Sequence, residues 1–137
     1  MSRSVEVSGL RLWLGPPAPP GEWPPPRWTD HPLTDEEWES LPLRIRLACY
    51  MRAHIGLEPE TEGPNRGPWV RYFLRGQNGL AWCAAIILVG ILAVGGRLPS
   101  GGYWKWRRVQ NWIRWAKKTV AWGPAGTTPK VGYVACW

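Results

Sequence analysis

The second half of this sequence lacks acidic residues. All ten Asp and Glu of the 137 residues lie at or before Glu62, whereas Lys and Arg continue as far as Lys130. The net charge of +7 therefore arises from the C-terminal half. That half is expected to attract an anionic partner, and charge alone leaves open a cell-wall polymer, a membrane surface or nucleic acid. Any catalytic carboxylate would have to come from the N-terminal half.

Cysteine is scarce as well. The sequence contains three cysteines, Cys49, Cys83 and Cys136. Their odd number and wide spacing argue against a disulfide framework. There is no Cys-x-x-Cys or His-x-His pair, so structural zinc is not expected, and neither a metal nor a cofactor is predicted. Cys49 falls in a helical pattern and is expected to be a buried core residue.

The N-terminal residues 1–33 are expected to form an extended arm ahead of one domain over residues 34–137. No basic stretch followed by an apolar run marks a signal peptide. Residues 1–14 partly alternate between apolar and polar side chains, which favours a short strand or an extended segment. Residues 15–28 hold seven of the fifteen prolines and are interpreted as a polyproline-like spacer. Trp23 and Trp28 could attach this spacer to a surface.

Helical patterns dominate from Thr34 onward. Thr34 and Glu37 form a capping box for a short helix that ends before Pro42. Further helices are predicted over residues 43–55, 69–74, 80–94 and 103–121. Residues 58–68 have the composition of a loop, and residues 131–137 that of a final strand.

The helix over residues 43–55 has a predicted apolar face, which consists of Leu43, Leu47, Ala48, Met51 and Ile55. Gly56 is expected to end the helix. His54 lies in its last turn, where the helix dipole favours a cation. We interpret His54 as a capping or surface histidine rather than a catalytic one.

Cys83 is the candidate nucleophile. Gly76, Asn78 and Gly79 predict a turn just before it, and an uncharged helical pattern follows. At the N-terminus of a helix, the dipole and the free backbone N–H groups favour a thiolate and can hold an oxyanion during acyl transfer. Trp82 is expected to wall one side of a cleft beside it.

Several short motifs around Cys83 follow one another in a recognisable order. They are Ile55-Gly56 at a helix end, then Glu58, then Asn65-Arg66-Gly67-Pro68 leading into a short helix, then Trp82-Cys83-Ala84-Ala85. Looser matches are Asn111-Trp112-Ile113 and Pro129-Lys130-Val131-Gly132-Tyr133-Val134. Over about residues 43–134 the chain resembles the front half of CHAP-type (papain-like) cysteine amidases and endopeptidases of phage lysins, which cut peptidoglycan.

This resemblance implies an α+β fold, in which a papain-like helical lobe with a central cysteine-bearing helix packs on a short, incomplete sheet. It implies Cys83 as the nucleophile and Trp82, Asn65 and Arg66 as substrate-binding residues. The implied partner is peptidoglycan or another anionic cell-wall polymer, with virion proteins as a further candidate. The implied location is a phage virion or the bacterial cell envelope.

The family's histidine base has no counterpart in the matched order. The two histidines, His31 and His54, both precede Cys83, and Tyr133 stands where the family has an aspartate. The chain stops at Trp137, before the strand that carries the family's histidine. We therefore expect a truncated or decayed copy, or a histidine supplied from elsewhere, and weak or no cleavage by this chain alone.

Three other interpretations stay open, and the first is a small helical protein unrelated to this family. Residues 80–96 carry no charge and match the shortest membrane spans, of about 17 residues, with Arg75 and Arg97 as flanks. The third alternative is a non-catalytic virion or assembly protein that docks through its arm and its tryptophan-rich helix. That helix holds the predicted anionic-surface residues, which are Lys105, Arg107, Arg108, Arg114, Lys117 and Lys118.

Overall fold

The computed structural model of the chain describes residues 19–99 and 102–119, the single positions 123, 126 and 128, and the backbone of residues 4–7 and 10–13. Two strands, β1 (Ser4–Val7) and β2 (Leu10–Trp13), pair as an antiparallel hairpin with Ser4 opposite Trp13. Six helices follow in the described residues: α1 (Asp35–Ser40), α2 (Leu43–Ala53), α3 (Pro68–Phe73), α4 (Cys83–Ala93), α5 (Gly102–Trp106) and α6 (Val109–Lys117).

The expected α+β, papain-like fold is wrong. From residue 19 onward the described chain forms helices, turns and loops and contains no strand. The expected fold would cover its central helix with a sheet, but here α2, α3 and α5 contact α4 instead. In the described residues, helices therefore supply the layer that packs on α4. The final strand predicted over residues 131–137 lies outside the described residues.

The uncharged helix α4 lies at the centre of the core. Ala85 and Val89 belong to a cluster with the buried side chains of α3. Leu88 belongs to a second cluster with Tyr103 and Trp106 of α5, and Ala93 to a third with residues of α1 and α2. A helix that is apolar on every side is stable in water only when it is covered on every side, so α4 organises the packing of the other helices.

The helix α4 is shorter than the predicted range of residues 80–94. Gly79 has φ 77°, a left-handed conformation that glycine adopts without strain, so the helix cannot extend back through it. At the other end, the N–H groups of Gly95 and Gly96 donate to the carbonyl oxygens of Leu92 and Ile91 (3.1 and 2.8 Å), which is a Schellman motif. Among the described residues, no helix has the length and apolar character that crossing a bilayer requires.

Residues 19–33 of the proline-rich arm pack on the helices. The indole Nε1 of Trp23 donates to the carbonyl oxygen of Tyr72 at 2.7 Å. The backbone N–H of Trp28 donates to the carbonyl oxygen of Ala93 at 2.8 Å, and its ring packs edge-on against Trp38, with 5.4 Å between ring centroids. Both tryptophans therefore attach the arm to the helical core.

Thr34 is confirmed as the N-cap of α1, because its Oγ1 accepts a hydrogen bond from the N–H of Glu37 at 3.1 Å, while the Glu37 carboxylate contacts the Thr34 hydroxyl. The helix ends at Ser40, ahead of Pro42, as expected. The short helix predicted over residues 69–74 is also confirmed, with Pro68 at its first position as α3. These elements depend on residues close together in the sequence.

The expected apolar face of α2 is only partly correct. Leu47 and Tyr50 are buried, whereas Ile55 lies beyond the helix and is 70% exposed. Cys49 is exposed, so the prediction that it is a core residue was wrong. Cys49 follows Leu47 by two positions, which corresponds to a rotation of about 200° around the helix axis. Cys49 therefore faces away from the side on which Leu47 meets α4.

The single basic helix predicted over residues 103–121 is in fact two helices, α5 and α6. Arg108 between them has an extended backbone conformation (φ −100°, ψ 121°). Side chains of α6 reach back to the last carbonyls of α5: the Nε1 of Trp112 donates to Trp106, and the Nδ2 of Asn111 donates to Lys105 at 2.7 Å. Since these carbonyls are satisfied by side chains, the break leaves fewer backbone groups unpaired. Residues 120 and 121 lie outside the described residues.

Helices α2 and α4 approach most closely at Gly90. A Cβ added there would lie 2.8 Å from the Cδ1 of Leu47 and 3.3 Å from the Cδ1 of Tyr50. Both neighbours are buried and belong to the core cluster between these helices. The contact therefore requires the absence of a side chain at position 90.

Replacement of Gly90 by valine is expected to destabilise the protein. The added side chain has to displace Leu47 and the ring of Tyr50, and overpacking of this kind costs about 1–3 kcal/mol. The control is Gly21→Val, because nothing lies within 4 Å of a Cβ at that position. Urea denaturation measures both free energies of unfolding, and equal values for the two variants would contradict the close approach of α2 and α4.

Candidate active site

Cys83 is the first residue of α4 and is exposed. The N-cap residue, Trp82, makes no side-chain hydrogen bond to the first turn. The N–H groups that begin a helix have no partner within it, so they remain available to an anion beside the thiol. The predicted position of Cys83 at a helix N-terminus is thus confirmed, whereas its chemical role stays a prediction.

The loop that carries Asn65 and Arg66 lies against the turn ahead of α4. The carbonyl oxygen of Asn65 accepts a hydrogen bond from the N–H of Gly79 at 2.8 Å. The Oδ1 of Asn78 accepts one from the N–H of Gly67 at 3.3 Å. The guanidinium of Arg66 lies 3.2 Å from the position that a Cβ on Gly79 would occupy. The two segments predicted to form a substrate site are therefore brought together.

Trp82 is held in place next to Cys83. Its Nε1 donates to the Oε1 of Glu60 at 3.0 Å, and its ring stacks on Phe73 with 5.8 Å between centroids. Sequence reasoning missed Glu60 as the residue that orients this tryptophan. A signal was present, because Glu58, Glu60 and Glu62 recur at every second position in a loop that directly precedes the basic half.

The last acidic residue of the chain is tied to α3. The guanidinium of Arg71 donates to both carboxylate oxygens of Glu62, at 2.5 and 3.2 Å. This hydrogen bonding lowers the pKa of the Glu62 carboxyl below its usual value. The pair is exposed to solvent, so its contribution to stability is small. It holds the loop against α3 and leaves Glu62 as an ionised, already occupied carboxylate.

His54 packs at the end of α2, away from Cys83. Its Nδ1 lies 2.6 Å from the carbonyl oxygen of Tyr50, and the two rings are 4.2 Å apart. A carbonyl can only accept, so Nδ1 carries the proton and Nε2 is left as an acceptor. Burial lowers the pKa of His54 and is the main cause, so the ring is neutral near pH 7. The interpretation of His54 as a capping residue is confirmed, because it is the C-cap of α2.

The cleft beside His54 has a volume of about 190 Å³ and includes Ala93 in its lining. Ala93 is the last residue of α4, roughly 15 Å along the helix axis from Cys83 at 1.5 Å per residue. The other histidine, His31, stacks on Trp38 at 4.1 Å. Neither imidazole therefore has a contact with Cys83 in the described residues. These residues also contain no cluster of three or more His, Cys, Asp and Glu side chains that could hold a metal ion.

The six predicted anionic-surface residues lie on α5, on the link that follows it, and on or just beyond α6. The Nζ of Lys105 lies 4.9 Å from the ring centroid of Trp106. The guanidinium carbon of Arg107 lies 5.1 Å from that of Trp104. Arg107 and the exposed Trp104 thus share a surface, whereas Lys105 lies over Trp106, which belongs to the core.

No protein-family model matches this chain, and neither a curated protein nor a solved structure matches it. The resemblance to CHAP-type amidases consequently stays a prediction. The arguments for function come from the residues and contacts described above.

Cys83 is expected to react with iodoacetamide several-fold faster than Cys49. Both thiols are exposed, but only Cys83 lies at a helix N-terminus, where a thiolate is stabilised. Cys49 in the middle of α2 is therefore the internal control. Labelling followed by mass mapping gives both rates in one sample, and faster labelling of Cys49 would contradict the expected activation. Cys136 lies outside the described residues and is replaced by alanine for this measurement.

Acidification below about pH 6.5, the usual pKa of histidine, is expected to lower stability through His54. The pKa of His54 is lower in the folded protein than in the unfolded chain, so the unfolded chain binds the proton more readily. The contribution of neutral His54 to stability is therefore complete above about pH 6.5 and is lost as the pH falls. The measurement is the difference in the free energy of unfolding between about pH 7.5 and pH 5.5. The variant His54→Gln should show a smaller difference than the wild type. An unchanged difference would show that another group causes the pH dependence.

Proposed function

We propose that this chain is a peptidoglycan-directed, cysteine amidase/endopeptidase-like protein of a phage or bacterium, with Cys83 as its nucleophile. The observation that carries this proposal is the exposed thiol at the first position of α4, ahead of backbone N–H groups without a capping side chain. Such N–H groups favour the thiolate and can hold the oxyanion that forms when it attacks a carbonyl.

The surroundings of Cys83 support an amide substrate. Trp82, fixed by Glu60 and Phe73, forms a rigid apolar wall beside the thiol. The exposed Arg66 belongs to the loop that packs on the turn ahead of α4, and a guanidinium binds carboxylates through paired hydrogen bonds. A peptide stem with a free carboxylate suits this combination of wall and cation.

The proposed chemistry is acyl transfer. The thiolate sulfur adds to the amide carbonyl carbon, the C–N bond breaks, and the amine leaves after receiving a proton. Water then attacks the thioester, which releases the carboxylic acid and returns the thiol. Both steps need a group that moves protons, and loss of such a group typically slows a reaction about 10²–10⁴-fold. Because His31 and His54 pack elsewhere, we propose that this chain alone acylates slowly and turns over weakly.

A second candidate is a non-catalytic virion or assembly protein. The packing of the histidines favours this candidate, because His31 stacks on Trp38 and His54 packs against Tyr50, and neither contact involves Cys83. In this case, Cys83 would be an exposed residue without a role in acyl transfer.

Chemical rescue distinguishes the two candidates. We expect little dye release from labelled cell walls by the wild type, and an increase of about 10-fold or more when imidazole is added as an external base. The variant Cys83→Ala should not respond to imidazole, although it should still sediment with purified cell walls. The variant His54→Ala should behave like the wild type.

Three outcomes would change this assignment. Robust release that both substitutions abolish would identify His54 as the base. Wall binding without any response to imidazole would favour the non-catalytic protein. If the protein neither binds cell walls nor releases dye in a Cys83-dependent way, the peptidoglycan assignment is overturned.

A further inference from the structure

The helix α6 is amphipathic, and the described residues cover its apolar side only in part. Val109, Trp112 and Trp115 lie on one side, whereas Arg114 and Lys117 lie on the other. No residue of α6 is fully buried, although Trp112 packs against Trp106 with 4.8 Å between ring centroids. An apolar helix side that its own protein leaves partly open generally belongs to an interface.

An apolar groove runs beside α6. It has a volume of about 600 Å³, and its lining includes Leu43, Ile91, Leu98, Trp112 and Trp115, together with Arg97. Leu43 and Trp115 are 38% and 37% exposed. The groove therefore brings exposed apolar side chains of α2 and α6 together.

The charge of this region specifies an anionic partner. The exposed cations Arg108, Arg114 and Lys118 flank the tryptophans, and no acidic residue occurs anywhere after Glu62. Short-range attraction to an anionic surface is therefore not opposed by any acidic residue on α5 or α6 themselves.

The arrangement of the rings favours a lipid surface over a nucleic acid or a glycan strand. Bases and sugars stack on open ring faces, but one side of Trp104 already faces the guanidinium of Arg107. The rings of Trp112 and Trp115 meet nearly at right angles (89°) with 6.1 Å between centroids, so they form a wedge instead of parallel platforms. Tryptophan wedges flanked by Lys and Arg are typical of proteins that lie in the headgroup layer of a bilayer.

We infer that α5 and α6 form a docking surface for an anionic membrane. Trp115 and the exposed part of Trp112 enter the interface, the groove meets the acyl chains, and the cations contact the lipid phosphates. The surface lies flat on the bilayer and needs no helix that spans it. This inference does not depend on the chemistry of Cys83, so Cys83→Ala is expected to bind membranes like the wild type.

The test is sedimentation with vesicles of phosphatidylglycerol and phosphatidylcholine, compared with pure phosphatidylcholine. Each cation close to an anionic surface contributes about a fivefold factor in binding. The triple variant Arg108→Gln, Arg114→Gln, Lys118→Gln should therefore bind the anionic vesicles about 100-fold more weakly. Arg52→Gln, which removes an exposed cation of α2, is the matched control and should change binding little.

The tryptophans are tested separately. Trp112→Ala combined with Trp115→Ala should weaken vesicle binding about 10-fold, because both side chains line the groove and less apolar area then enters the interface. Brominated lipids should also quench less fluorescence in this variant than in the wild type. Ile55→Ala is the control, because Ile55 is 70% exposed but lies outside the groove. Circular dichroism checks that each variant keeps its helices.

Two results would overturn the inference. The first is that the wild type does not sediment with anionic vesicles at low salt. If it then binds cell walls or single-stranded DNA, the partner is a polymer and not a membrane. The second is vesicle binding that the triple variant loses but the double tryptophan variant keeps in full, which would indicate attraction of charge without insertion.

Discussion

The burial of α4 is the constraint on which the rest of the structure depends. This helix carries no charged side chain, so every side of it has to be covered. The helices that cover it are short, and helices of fewer than about 12 residues are marginal in water on their own. The core and its covering layer are therefore stable only together. Gly90 shows how tight this dependence is, because the absence of its side chain lets α2 approach.

Aromatic contacts link the covering elements to one another. The chain leaves α3 through Arg75, whose φ of 52° is uncommon for a residue with a side chain. The guanidinium carbon of Arg75 lies 5.2 Å from the ring centroid of Trp23 and 5.5 Å from that of Tyr103. Each such cation–π contact contributes about 0.5–1 kcal/mol, which is comparable to the strain of the left-handed residue. Tyr103 in turn donates its hydroxyl to the carbonyl of Phe73. The arm, α3 and α5 thus meet around one side chain.

The same central helix determines which groups can act together. Its N-terminus presents Cys83 beside the Asn65–Arg66 loop, while its C-terminal residue lines the cleft of His54. The contacts described for His54 are with Tyr50 and Trp69, and they do not involve the thiol. The neutral state of His54 follows from its burial against Tyr50, since packing that removes water from a histidine also disfavours its charged form. An exposed thiol and a packed histidine thus coexist in the described residues without a contact between them.

Features that depend on a few neighbouring residues were predictable from the amino-acid sequence. The cap at Thr34, the start of α3 at Pro68 and the place of Cys83 after the Gly79 turn follow from local backbone preferences and side-chain-to-backbone bonds. Packing in three dimensions was needed to establish the exposure of Cys49, the break between α5 and α6, the link from Glu60 to Trp82 and the packing of helices on α4. Apart from the break, each of these features depends on contacts between residues far apart in the chain. Local sequence patterns carry no information about such contacts. The break itself requires two side chains of α6 to replace the hydrogen bonds of a continuous helix, an exchange that periodicity alone does not reveal.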